Sequence, residues 1–340
     1  MFLHAIGGFA AGSFYIPYKS VRKWAWESYW IVGGFVSWLI MPWLVAFLVM
    51  PNVFGVLANA SPSVLLKCFG FGALWGVGGL TFGMTMRYLG VALGYAMALG
   101  VTMSVGTLIP PIFTGTLGTI VHKPSGLFTV IGVVVAMVGV AICGKAGVLK
   151  EKEGADGESP NTDFNFRGGV LIAIFAGTLS ACMAFALMVG DPLKAQAVKA
   201  GVSPLFQSAP VHLPIFAGGL LVNLVYCVFL NSKNKTGGDY MDRQAPLARN
   251  YLLSALAGTL WYLQFMFYGM GESQMGTNLK FSSWTLHMTT IIVFSTLWGF
   301  AFKEWKGASP KARNLVLFGI AVLVLSTVVV GYGNYLDRPV

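Results

Sequence analysis

Apolar residues fill this chain in blocks too long for a globular core. Stretches of roughly 17–25 residues recur at about 2–18, 27–50, 64–86, 90–113, 126–144, 168–190, 207–230, 251–271, 283–302 and 314–335, separated by short polar intervals. The blocks are apolar on all faces, as expected of helices surrounded by lipid and by one another. Glycine and proline inside them are tolerated in lipid and let helices approach closely. The pattern predicts an all-α integral membrane protein with ten transmembrane helices. One interval alone reads as soluble: 150–167, with Glu151, Glu153, Asp156, Glu158 and Asp163 among Gly and Pro, is a linker. It separates a five-helix unit at 1–149 from a second at 168–340.

A short pattern occurs once in each unit. Gly72, Leu74, Trp75, Gly83, Met84 and Gly90 recur at constant offset as Gly258, Leu260, Trp261, Gly269, Met270 and Gly276. Five spans are an odd number, so the second unit enters the membrane with the opposite sense. The expected arrangement is a 5+5 inverted repeat, a common plan for alternating-access transporters, with its site near mid-membrane. Trp75 and Trp261 then fall at similar depth.

Composition agrees. Charged residues are 10% of the chain, against about 25% in soluble domains, and the mean hydropathy is +0.72. The net charge of +10 is mostly a loop bias. The odd-numbered loops hold Lys19, Arg22, Lys23, Arg87, Lys145, Lys150, Lys152, Arg167, Lys233, Lys235, Arg243, Arg249, Lys303, Lys306, Lys311 and Arg313; the tails and even-numbered loops hold only Lys67, Lys123, Lys194, Lys199, Lys280 and Arg338. The positive-inside rule makes the odd loops cytoplasmic and both termini external. This charge gives no reason to invoke nucleic acid, and nothing points to an obligate protein partner. The first block lacks a basic segment ahead of it, which favours a retained helix over a signal peptide. Cys68, Cys143, Cys182 and Cys227 lie in or beside apolar blocks and read as free thiols, with no metal-ligand spacing. No nucleotide loop, GxSxG or HExxH is present, so no enzyme is expected.

Trp261, Gln264, Phe265 and Tyr268 follow i, i+3, i+4, i+7 and share one helix face, with Tyr262 beside them. A mid-membrane amide needs hydrogen-bond partners. Aromatic faces that stack on pyranose C–H groups and an amide that binds hydroxyls suit a sugar; helix–helix adhesion is the plainer alternative. Gly78 and Gly79 align with Gln264 and Phe265, so one half would give contacts and the other room. His287, with Trp284 three residues earlier on its face, is a candidate proton relay or a neutral hydrogen-bonding group. Glu27 is the lone carboxylate of the first 150 residues. It is either a proton site or a helix N-terminal acid paired with Arg87 or Lys19. Asn223 is embedded and must be bonded, in a site or in packing. Tyr15 and Tyr18, flanking Pro17, are gate or interface residues. Glu272, Asp191 and Glu304, at span ends, read as solvated.

Several strings resemble the L-rhamnose–proton symporters of the drug/metabolite transporter superfamily, from the first span to the last. They are Phe14-Tyr15-Ile16-Pro17-Tyr18-Lys19, Lys23-Trp24-Ala25-Trp26-Glu27, Ser37-Trp38 with Pro42-Trp43, Gly83-Met84-Thr85-Met86-Arg87-Tyr88-Leu89-Gly90, Trp261-Tyr262-Leu263-Gln264-Phe265, Ser283-Trp284-Thr285-Leu286-His287-Met288 and Lys303-Glu304-Trp305. The resemblance implies ten helices in the bacterial inner membrane and uptake of L-rhamnose driven by protons. This chain has glycines near Gly78–Gly79 where that family carries Asn, implying a roomier site, and the family varies around Glu272, which argues against Glu272 as a shared proton carrier.

The expected function is import of L-rhamnose or a related 6-deoxyhexose by proton symport. Substrate-binding candidates are Trp75, Trp261, Tyr262, Gln264, Tyr268, Trp284, His287, Asn223 and Tyr15. His287 and Glu27 are the proton-coupling candidates. No cofactor is expected. The coupling ion is H⁺, with Na⁺ left open because carbonyls and hydroxyls hold it without a motif. The alternatives are a drug or metabolite exporter of the same superfamily and a non-transporting sugar sensor.

Overall fold

Proline sets where the long helices start. Pro62, Pro124 and Pro310 each open one, since a missing N–H is harmless in a first turn. In chain order the helices are α1 (Phe2–Ser13), α2 (Tyr15–Tyr18), α3 (Trp26–Phe35), α4 (Met41–Val49), α5 (Val53–Ala58), α6 (Pro62–Leu89), α7 (Val91–Phe113), α8 (Leu117–Val121), α9 (Pro124–Gly154), α10 (Phe166–Ser180), α11 (Cys182–Val189), α12 (Asp191–Lys199), α13 (Ala209–Asn234), α14 (Leu247–Glu272), α15 (Ser282–Ala301) and α16 (Pro310–Leu336). This computed structural model describes residues 1–340 apart from 90, 155–165, 276–278, 281, 304 and 337–340. Among the described residues there is no strand. α9 continues one turn into the interval expected as linker.

Local chemistry explains the ends and the one internal irregularity. The Ser309 hydroxyl caps α16 by accepting the Ala312 N–H at 3.1 Å. α13 stops where Lys235 turns left-handed (φ 58°) and its N–H bonds the Asn231 carbonyl. Pro42 lacks the N–H that would reach the Trp38 carbonyl. Just ahead of it the chain passes from α3 to α4 through a π turn at Val36–Ile40. Ser37 and Trp38 of that turn are buried.

Among the described residues, six helical segments are long and apolar enough to cross a membrane: Trp26–Val49, Pro62–Thr85, Pro124–Lys150, Arg167–Lys199, Pro204–Asn234 and Pro310–Leu336. The other four expected blocks coincide with α1–α2, α7, α14 and α15. The last two are helices with a polar load. α14 buries Asn250, Ser254 and Gln264, and α15 buries Ser282, Ser283, Thr285, His287 and Thr289. These groups lower the mean hydropathy and are sheltered by neighbours. α1 packs on α14 and α15, α10 on α6 and α7, α13 on α6, α14 on α3, and α9 on α16. The polar side chains of α14 and α15 are thus inside the bundle, one end of which carries Glu272 and the other Glu27.

Candidate functional site

Aromatic rings from α6, α13, α14, the π turn and the α1–α2 junction meet at mid-bundle. Trp75 of α6 and Trp261 of α14 stack with centroids 6.4 Å apart and planes 21° from parallel. Phe265, one turn on from Trp261, sets its edge on Trp75 at 5.5 Å. Trp38, from the π turn, and Phe216 of α13 close two further sides of Trp75 at 6.3 and 5.8 Å. Phe14 covers Trp261 at 4.3 Å. Beyond the stack, toward the Glu27 end, a void of about 10 Å³ lies among Tyr18, Trp30, Ser37 and Trp38.

Toward the Glu272 end the rings become polar. His287 lies 6.4 Å from Phe265, 5.2 Å from Tyr268 and 6.3 Å from Trp284, all between centroids. Tyr268 touches Trp284 and His4 at 5.6 and 5.7 Å. The Trp284 indole donates to the Thr102 carbonyl at 3.0 Å, anchoring α15 to α7. Tyr268 and Trp284 also line a cleft of about 160 Å³ that runs between α7 (Gly106, Pro110) and α14, with Glu272 and Lys280 on its walls.

Many buried polar atoms of this region have no hydrogen-bond partner among the described residues. They include both ring nitrogens of His287 and of His212, Nε2 of Gln264, the Tyr262 hydroxyl, Nε1 of Trp261 and Nδ1 of His4. Leaving such a group unpaired costs about 1–3 kcal/mol, so their concentration in one place calls for a function. Together they offer donors and acceptors, set among stacked rings, to a small polyhydroxylated ligand or to protons.

The structure brings Trp75, Trp261, Gln264, Tyr268, Trp284 and His287 into this one region. Tyr262 joins this region through Phe216, which it meets at 5.7 Å and which in turn touches Trp75 and Phe265; His212 lies 5.8 Å from Tyr262. Asn223 borders the aromatic cluster and both ends of its amide are bonded: its side-chain carbonyl accepts the Trp30 indole at 3.0 Å and its amide donates to the Gly219 carbonyl at 2.9 Å. Tyr15 is 42% exposed among Phe14 and Tyr18. Glu27 sits at the far end, accepting from Asn234 at 2.9 Å and Thr236 at 2.8 Å. The Arg87 side chain and Glu304 lie outside the described residues.

Two expectations are corrected. Gly78 gives no room to a site, because a Cβ there would run into Leu179 and Ser180 of α10, and Gly79 faces outward. Glu272 is not a solvated end: it is buried and accepts from the equally buried Lys194 at 2.9 Å, which also meets the half-exposed Asp191 at 3.0 Å.

Sequence reasoning passed over His4, His212 and Lys194. Three of the four histidines lie buried here, and an ionisable group inside an apolar block was the available signal. His4 pairs with the Ser283 hydroxyl at 3.1 Å, and Thr290 donates to its carbonyl at 3.0 Å.

A family model described as L-rhamnose-proton symport protein matches residues 1–335. The chain is 38% identical over 337 residues to the L-rhamnose-proton symporter of Citrobacter koseri, covering 98% of this chain and 97% of that one. It is 39% identical, with the same coverage, to the L-rhamnose-proton symporters of Salmonella paratyphi B and Salmonella newport.

Proposed function

The chain belongs to the L-rhamnose–proton symport family, a family of transporters rather than enzymes, and from that membership we propose that it imports L-rhamnose, or a related 6-deoxyhexose, together with protons. The observation that carries this reading is the mid-bundle cluster, where stacked indoles stand beside unpartnered amide, imidazole and hydroxyl groups. A 6-deoxy sugar has an apolar methyl and C–H faces for the rings, and hydroxyls for Gln264, His287 and Tyr262. His287 is the first choice for the proton, because it touches the aromatic lining; Glu27 is second. Coupling requires that protonation favour the sugar-bound state, since only differential affinity shifts an equilibrium.

The arrangement we propose is ten membrane helices in a 5+5 inverted repeat of the drug/metabolite transporter fold, with units 1–149 and 168–340, in the bacterial inner membrane with both termini periplasmic. Mirrored packing supports it. Gly72 of α6 abuts the Ile215 backbone of α13, and its equivalent Gly258 of α14 abuts the Gly33 backbone of α3. Likewise α1 packs on α14 and α15 as α10 packs on α6 and α7. Under this orientation the cleft at Tyr268 and Trp284 opens outward.

The test is L-rhamnose binding to purified protein across pH 5–8.5 for wild type, His287→Ala and Glu27→Gln. We expect affinity to fall as pH rises, and His287→Ala to flatten the curve. No sugar binding at any pH would overturn the substrate, and counterflow of labelled sugar in liposomes separates a carrier from a sensor.

A further inference from the structure

α9 and α16 lie in direct contact over several turns. Gly132 faces Val330, Gly139 faces Leu323 and Gly319 faces Cys143, and a Cβ on any of these glycines would collide with that neighbour. At the Lys145 end the helices part and leave an open cleft of about 570 Å³. Its walls carry Lys145 and Lys152 of α9, Lys311 and Asn314 of α16, and the apolar Leu149 and Phe318. Lys145 and Lys152 are two turns apart on one helix face.

The one nearby described carboxylate, Glu153, lies close enough to feel the Lys311 charge, but its hydrogen bonds go elsewhere. The Glu153 carboxylate is turned to the start of α16, where it accepts the Ser309 hydroxyl at 2.6 Å and the Ser309 N–H at 2.9 Å. Lys150 lies over the Trp305 ring at 5.1 Å. The Glu151 side chain is outside the described residues. Among the described residues, no carboxylate lines the cleft.

The same helix faces continue as exposed apolar surface. Stepping back by two turns from Lys145 gives Val138 and Ile131; stepping forward from Lys311 gives Phe318, Leu325 and Tyr332. All five side chains are exposed. Three ammonium groups at the head of two apolar faces match the chemistry of a lipid anion: phosphate above, acyl chains below.

We propose that the α9–α16 cleft binds the phosphate head of an anionic phospholipid whose acyl chains lie along these two faces. The apolar walls favour a lipid over a soluble anion, and three lysines favour a two-phosphate headgroup over a single one. This site is separate from the mid-bundle cluster and does not depend on the substrate.

The experiment is native mass spectrometry of the purified full chain in detergent, titrated with cardiolipin, phosphatidylglycerol or phosphatidylcholine, with inorganic phosphate as competitor. Expected is one tightly retained anionic lipid, cardiolipin above phosphatidylglycerol, with phosphatidylcholine not retained. Lys145→Gln, Lys152→Gln and Lys311→Gln should each weaken it by about fivefold, and the triple variant should remove it. A control triple at Lys233, Lys235 and Lys306 should retain it. Equal loss in both triples would overturn the site in favour of general surface charge. Displacement by millimolar phosphate would overturn the lipid in favour of a free anion. The lysines are at the surface, and each single variant reads the same site should the triple not fold.

Discussion

Trp75 and Trp261, equivalent residues of the internal repeat, stack on each other at 6.4 Å with planes 21° apart. Trp75 is otherwise enclosed by Trp38, Phe216 and Phe265, while the buried Trp261 indole nitrogen has no partner among the described residues. The pair is therefore asymmetric in role: Trp75 holds the wall and Trp261 presents a donor. Trp75→Ala should cost about 3–5 kcal/mol of stability, as for a large buried aromatic, and lower the thermal midpoint in detergent. Trp261→Phe should leave that midpoint within a few degrees and weaken L-rhamnose binding several-fold by calorimetry. Equal stability losses in the two variants would contradict this division.

Gln264 separates binding from stability more sharply. Its Nε2 has no hydrogen-bond partner among the described residues although the residue is buried, so Gln264→Ala removes an orphan, which offsets the lost packing and should leave the thermal midpoint little changed. If the amide holds a sugar hydroxyl, the same change weakens L-rhamnose by roughly 1–1.5 kcal/mol, about tenfold. Unchanged affinity would move the sugar away from α14.

The Tyr262 hydroxyl is also unpartnered, and its ring is fully buried against His212 and Phe216. Tyr262→Phe keeps the ring and deletes the orphan. The expected result is a stability change of zero or a gain of up to about 1 kcal/mol, measured by thermal unfolding, with a several-fold loss in sugar affinity. A clear loss of stability would mean that the hydroxyl is bonded after all, to water or to His212.

Much of this arrangement was legible because it is local. The i, i+3, i+4, i+7 spacing put Trp261, Gln264, Phe265 and Tyr268 on one face, and a constant offset paired Trp75 with Trp261. What the chain conceals is the partner on another helix. Asn223 looks like a site residue, yet its needs are met by Trp30 and Gly219. Gly78 looks like room for a ligand, yet α10 fills it. Lys194 looks like a loop charge because its neighbours Asp191, Gln196 and Lys199 are polar. It is buried because α12 packs on α13, α11 and α5, and its ammonium meets Glu272 at the end of α14.

Lys194 and Glu272 carry the last prediction. Both are buried at the mouth of the cleft, 2.9 Å apart, with Asp191 as a second, half-exposed partner for the lysine. Removing one member of a buried ion pair strands the other's charge, at about 3–5 kcal/mol. Glu272→Gln should be the milder change, since Asp191 still faces Lys194; Lys194→Ala should be the harsher, leaving Glu272 without its cationic partner. The double change Lys194→Met with Glu272→Leu strands neither, so its cost should fall well short of the sum of the two single losses in a thermal-unfolding cycle. Additive losses would mean that the two charges do not depend on each other. Because Glu272 also lines the cleft beside Tyr268 and Trp284, the same variants report on entry. If this pair shapes the mouth, the double variant alters the rate of sugar uptake while leaving equilibrium affinity near that of wild type.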